Sequence, residues 1–232
     1  MGKSLLNFVY PPFCLHCQEA LHATHSLLCA TCLEQLDLID SSTRCPLCFS
    51  TDFNPVNLLC FDCKHTPSPF NGVAAAFDYI GPAATLIKQL KYSDKPFLAD
   101  GCGAYLAAQF LQLDWPMPDI IVPVPIPLTR LLTRGYNQSA LLAENVATLL
   151  QRPTVHALSR SSGDYSQAGL TRKQRLTLDG KGITLRSNAS IQDKIILLID
   201  DVWTTGSTMR MCSEALSEGY PSKIYCLTFC RA

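Results

Sequence analysis

The sequence predicts an α/β domain wound around a parallel sheet, preceded by a small module built on cysteines. Three observations carry this. Strand-like runs alternate with helical periodicity through the C-terminal two thirds. Residues 195–199, "IILLI", are nearly pure Ile and Leu, as a central parallel strand covered by helices on both faces requires. Eight of the twelve cysteines fall into four CxxC pairs before residue 64.

The 232 residues suffice for one domain of ordinary size plus a smaller unit, and 47% hydrophobic with 16% charged residues is a globular composition. No apolar run approaches the roughly 20 residues of a membrane-spanning helix, so no span is expected. The first residues, "MGKSLLNFVYPPFC", have one lysine, a broken apolar stretch and no small-residue cleavage signature, so no secretory signal is expected and a cytoplasmic location follows. Formal charge is zero overall, but residues 119–190 carry nine Lys/Arg against four acids. Residues 1–70 carry three bases and six acids. That moderate positive field suits a phosphate-bearing ligand or nucleic acid, without the strongly basic balance of a dedicated DNA-binding domain.

The pairs are "CLHC" (Cys14, Cys17), "CATC" (Cys29, Cys32), "CPLC" (Cys45, Cys48) and "CFDC" (Cys60, Cys63), separated by 11, 12 and 11 residues. Two residues between cysteines let one tight turn aim both sulfurs at one metal, and a cytoplasmic chain disfavours disulfides. Two Zn2+ sites with four thiolates each are expected. Sequential pairing would give two short zinc ribbons, and an interleaved cross-brace is the other arrangement. With every ligand position filled by sulfur, the metals would be structural. His16 and His65 would be spare ligands and are expected as solvent neighbours. Cys102, Cys212, Cys226 and Cys230 lack metal spacing and are expected as buried small hydrophobes.

Turn formers cluster in "KHTPSPFNG", residues 64–72, placing a boundary that gives a module over 1–66 and a domain over 67–232. Downstream, "ATLIKQLKY" and "FLADGCGAYLAAQFLQL" read as helices, and "DIIVPVPIP" as a strand running into a proline-rich turn. "SALLAENVATLL" is an amphipathic helix and "TVHALSR" a short strand. A long polar loop follows, "SSGDYSQAGLTRKQRLTLDGKG", of a length that is uncommon without a function. The strand at 195–199, a helix over about 207–217 and a last strand, "KIYCLTFC", complete the alternation.

Ligands of such folds bind at the carboxyl ends of the strands. Asp200 and Asp201 stand there, followed by Thr204, Thr205, Gly206, Ser207 and Thr208 at a helix start. Small residues leave backbone N–H groups free around a phosphate, hydroxyls add donors, and the helix N-terminus adds positive potential. Two carboxylates beside them accept hydrogen bonds from vicinal hydroxyls or hold magnesium through water. A sugar with a 5-phosphate fits both halves.

Here the sequence resembles the phosphoribosyltransferases of type I fold, and within them the ComF family, also called GntX-like or amidophosphoribosyltransferase-like. The resemblance spans nearly the whole chain: the double CxxC module, "KQLKYSDKPFLA", "IVPVPIPLTRLLTRGYNQSALLA", "LSR…SQAGLTRKQR" and the acid-and-loop motif. It implies a phosphoribosyl pyrophosphate (PRPP) site with Mg2+. Asp200 and Asp201 would hold ribose and metal, residues 204–208 the 5-phosphate, and the turn at 123–134, with Pro123, Val124, Arg130 and Arg134, the pyrophosphate. Gln167, Arg172 and Arg175 would lie on a mobile flap, and Lys88 and Lys91 would add cations. Thr177 stands where the family often has Asn, the following Ala-Phe is absent, and Trp203 puts a large ring between acids and loop, for packing or to narrow the pocket.

The resemblance also implies a role in natural transformation: handling incoming single-stranded DNA in the cytoplasm, with a ComFA-type translocase and the DprA mediator as partners. The alternative is a working phosphoribosyltransferase of nucleotide salvage, although no segment of the chain reads as a base-recognition element. Primary DNA binding by the zinc module is disfavoured, because zinc-thiolate charge adds to an already acidic segment.

Overall fold

A computed structural model describes residues 12–21, 26–53, 59–161 and 182–232. Parallel strands dominate it because the apolar runs are bounded by helices that cover them. Element order is α1 (Ala30–Glu34), α2 (Phe61–His65), β1 (Gly72–Asp78), α3 (Gly81–Tyr92), α4 (Leu98–Leu111), β2 (Ile120–Pro123), α5 (Leu128–Arg134), α6 (Gln138–Leu150), β3 (Leu158–Arg160), β4 (Ile183–Leu185), β5 (Ile195–Trp203), α7 (Ser207–Ser217) and β6 (Lys223–Arg231). Four strands form a parallel sheet in the order β1-β6-β5-β2, with β5 and β6 central. Residues 196–199 are fully buried, as their Ile/Leu composition requires. Helix α6 packs on β5, β2 and α4, and α7 packs on β5 and the small sheet.

β3 and β4 pair antiparallel as a separate two-stranded sheet, so "TVHALSR" does not extend the main sheet beyond one bridge, Thr154 with Ile121. These strands flank the long polar loop, whose flap candidates Gln167, Arg172, Arg175 and Thr177 lie outside the described residues.

Strand β1, "GVAAAFD", escaped the sequence reading because it follows the turn-rich stretch and is built mainly of alanine, a poor strand former. It is buried along almost its whole length although it is a sheet edge. The cysteine module supplies the cover. Ile39 N–H donates to Ala76 C=O on the open edge (3.0 Å), Arg44 pairs with Asp78 (2.9 Å), and the buried Gln109 of α4 donates to Ile39 C=O (3.0 Å). Nor is 64–72 a loose connection. Phe70 is buried, and Asn71 exchanges two bonds with Ile224, N–H to C=O and N–H to Oδ1, each 2.8 Å.

His16 departs from its expectation as a solvent neighbour: its Nδ1 lies 2.8 Å from Thr85 Oγ1 on α3, a further tie between module and domain. His65 is exposed, against Phe61 C=O of its own helix. Cys102, Cys212, Cys226 and Cys230 are all buried, and burial pushes the Cys102 thiol up to about 12, as for an inert core residue.

Candidate functional site

The acid pair is placed by strand register. β2 stops pairing at Pro123 opposite Ile199, whereas β6 continues alongside β5 through Thr228, Cys230 and Arg231. Asp200 and Asp201 therefore sit on a strand held by β6 and free of β2, at the carboxyl end where such sheets bind ligands. Neighbouring strand residues send their side chains apart, and the two carboxylates meet different helices.

Asp200 Oδ1 accepts from Ser139 Oγ at 2.7 Å and from Asp201 N–H at 2.9 Å. Burial, and next the Asp201 charge, lift its carboxyl to about 7, against the pull of those two donors. Asp201 is 4% exposed and makes an ion pair with Lys91 Nζ of α3, at 2.8 Å to Oδ1. Among the described residues its Oδ2 is buried without a hydrogen-bond partner. A carboxylate with one oxygen paired and the other waiting is suited to a donor brought by a ligand.

Ser139 was missed by sequence reasoning, and the signal for it lay in "RGYNQS". Gly135 takes φ +81 and ends α5. Asn137 caps α6, accepting from Ser139 N–H through Oδ1 (3.0 Å) and donating Nδ2–H to Val124 C=O (2.9 Å). Ser139, fully buried, then reaches Asp200. One helix start thus ties the end of β2 to the acid on β5.

After Trp203 the chain turns through Thr204 and Thr205, both exposed, into Gly206 at φ +74, and α7 begins at Ser207, whose N–H donates to Thr205 Oγ1 at 3.4 Å. Thr205 Oγ1 donates to Ser207 Oγ (3.1 Å). Gly206 is required twice over: by its left-handed φ, and because a Cβ there would collide with the Trp203 ring. Trp203 is 7% exposed and packs edge-on against Phe70 beneath the turn.

A cleft of about 800 Å³, lined by Lys91, Tyr92, Asp94, Arg130, Arg134 and Tyr136 among others, is joined to the acid pair through Lys91, the partner of Asp201. Arg134 stacks on Tyr92 (5.4 Å) and donates to Gln138 Oε1. Arg130 and Arg134 sit on α5, a short helix with no buried residue, where the sequence suggested an open turn. Pro123 ends β2 and Val124 follows it. Pro123 has no N–H and that of Val124 donates to Ile199 C=O (3.0 Å), so neither offers a ligand a free amide. Lys88 lies over the Tyr79 ring (5.7 Å) and is not among the residues lining the cleft.

The sulfurs gather as two sets in sequential pairing, Cys14, Cys17, Cys29, Cys32 and Cys45, Cys48, Cys60, Cys63, each with all Sγ atoms within 4.8 Å of one another. Zn–S bonds of about 2.3 Å in a tetrahedron give sulfur spacings of about 3.8 Å. Cys17–Cys29 at 3.6 Å and Cys48–Cys60 at 3.5 Å fit that geometry. Two four-cysteine clusters able to coordinate zinc are therefore present. Among the described residues, no helix is long and apolar enough to cross a membrane.

Fold and site together define a protein with a phosphoribosyltransferase-like α/β domain behind a zinc-binding module. Residues 136–232 match the family described as phosphoribosyl transferase domain, and residues 5–69 the double zinc ribbon domain. Competence protein F of Haemophilus influenzae is 30% identical over 210 residues, which span 88% of this chain and 90% of that protein. The DNA utilization protein YhgH of Salmonella typhi is 26% identical over 229 residues, 95% of this chain and 97% of that one. The chain belongs to the ComF family. Among solved structures, the glutamine PRPP amidotransferase of B. subtilis complexed with ADP and GMP is 14% identical, with a TM-score of 0.43. That likeness covers 61% of this chain and only 30% of the enzyme, too distant to add to what the strand order defines.

Proposed function

We propose that Asp200, Asp201 and residues 204–208 bind PRPP with Mg2+, and that the protein serves the handling of incoming single-stranded DNA in the cytoplasm. The observation that carries the ligand reading is the passage from a strand-end acid pair, open on the β2 side, into a left-handed Gly206 at the start of α7. The carboxylates would take the ribose hydroxyls and water-held Mg2+, and the N–H groups of the turn the 5-phosphate. Lys91, Arg130 and Arg134 give the adjoining cleft the charge a pyrophosphate needs. Mg2+ would supply charge neutralisation on the phosphates. Each four-cysteine cluster would hold a structural Zn2+, in a module over 1–66 ahead of a domain over 67–232.

The biological half of the reading is supported by family membership and by relatives named for competence and DNA utilization. A ComFA-type translocase and DprA are the protein partners it implies, and single-stranded DNA the nucleic acid. One observation favours a second reading, catalytic phosphoribosyl transfer in nucleotide salvage: both acids and the small-residue turn are retained intact.

Calorimetric titration of Mg2+-PRPP tests the ligand. Wild-type protein should give a saturable heat that is lost in Asp200→Asn/Asp201→Asn, and the same double variant should lower transformation or growth on DNA. No heat from folded, metal-loaded wild type would remove PRPP from the proposal. Pyrophosphate release on adding nucleobases would select the salvage reading.

A further inference from the structure

We infer that Arg231 and Trp203 are positioning residues of the phosphate loop, and that the Cys45/Cys48/Cys60/Cys63 cluster holds them in place. This inference rests on the reading of residues 204–208 as a phosphate loop. Arg231 ends β6 directly opposite Trp203 in register. Its Nη1 donates to the backbone C=O of Cys48 at 2.7 Å, joining residues 183 positions apart. Its guanidinium carbon lies 5.7 Å from the centre of the Trp203 ring. That ring is the surface on which Gly206 rests, with no room for even a methyl group between them. Phe70 closes on it edge-on at 5.7 Å, and Trp203 C=O accepts from Ala232 N–H at 2.8 Å.

The path from metal ligand to loop is therefore continuous: Cys48 carbonyl, Arg231 guanidinium, Trp203 ring, Gly206. Each link constrains the next. A carbonyl in a CxxC turn keeps its direction only while both sulfurs are ligated, since metal binding is what folds so small a unit. The guanidinium is planar and can donate to that carbonyl while lying against a ring. The ring, 7% exposed, fixes the height at which Gly206 turns the chain into α7, and so where the first amides of that helix point. A tryptophan kept for packing alone would be served by apolar neighbours and would need no cation bonded to the zinc module.

The test uses the full metal-loaded chain in a Trp115→Phe background, which leaves Trp203 as the sole indole. Arg231→Gln, Arg231→Lys and Trp203→Phe are compared with wild type by zinc content, amide hydrogen exchange over residues 204–209 and Mg2+-PRPP affinity, and the Arg231 variants also by Trp203 emission. For Arg231→Gln with zinc retained we expect about tenfold faster exchange and about tenfold weaker PRPP binding, the order of one hydrogen bond to a charged group. Emission should shift to the red, and Arg231→Lys should restore part of each. Trp203→Phe should speed exchange with zinc unchanged. Wild-type exchange and emission in Arg231→Gln would overturn the link, whether or not zinc is retained. Faster exchange in the variants supports it even if wild type fails to bind PRPP, an outcome that would instead remove the ligand reading.

Discussion

Asp200 decides the electrostatics of the site because it is half-buried beside a second acid that has its own cation. Asp201 is paired with Lys91 at 2.8 Å, while Asp200 accepts from the Ser139 hydroxyl and one backbone N–H. The folded carboxyl, at about 7, lies above its unfolded value near 3.9. A raised acid pKa means the native state holds the proton more tightly, so its stabilising effect is full below about pH 4 and is lost as pH rises through about 7. The Asp200→Asn variant cannot ionise and escapes that loss. We expect it to be more stable than wild type at pH 8 by about 1 kcal/mol, or a Tm rise of roughly 2–4 °C, a discount applied for partial solvation. The gap should narrow at pH 5. Thermal unfolding across that range checks it, and a gap independent of pH would show that Asp200 ionises normally. The same substitution should impair ligand binding, so stability and function move in opposite directions at this residue, as expected of a strained site.

At the scale of elements, two glycines separate backbone from packing. Gly135 (φ +81) and Gly206 (φ +74) both take left-handed conformations, but nothing lies within 4 Å of a Cβ at Gly135, whereas one at Gly206 runs into the Trp203 ring. Gly135→Ala should cost about 1 kcal/mol, the left-handed penalty alone. Gly206→Ala should cost that and about 1–3 kcal/mol more for overpacking, read as urea midpoints with an unchanged m-value. Equal losses would show that the ring yields easily. Much of this was legible beforehand. The acid pair and turn, and the helix from 207 to 217, read directly because their signals are local: an apolar run, two charges and a set of small residues. The partners of those acids were not legible. Ser139 and Lys91 reach them from 61 and 110 positions away, and only the sheet order brings them there. Nothing in the residue type of Lys88 and Lys91 separated them, and the turn of α3 did, sending Lys91 to Asp201 and Lys88 to Tyr79.

Across the whole molecule, the cysteine module closes the sheet. Helices α3 and α4 pack on β1, while its open edge is met by Ile39 and Arg44 of the module, and its alanines have no charge or proline to block pairing with another chain. This could not be read from sequence, since the spacing of the cysteines announces a metal and says nothing of what the folded module covers. The same arrangement makes metal removal a prediction about association as well as about the module's own stability. Stripping metal with a chelator should unfold residues held only by thiolate coordination and uncover the Ala76 carbonyl on the edge of β1. The stripped protein should then self-associate in a concentration-dependent way, seen by light scattering, while β5 and β6 keep their protected amides. Adding Zn2+ promptly should reverse it. A proline gives the control. The carbonyl of Ala76 faces the open edge, toward Ile39, and in a parallel ladder its N–H faces the same way, so Ala76→Pro removes an edge donor and spares the bonds to β6. That substitution should suppress association of the stripped protein. Association that Ala76→Pro leaves unchanged would place the sticky surface elsewhere, and a stripped chain that stays monomeric would show that the module shields no edge at all.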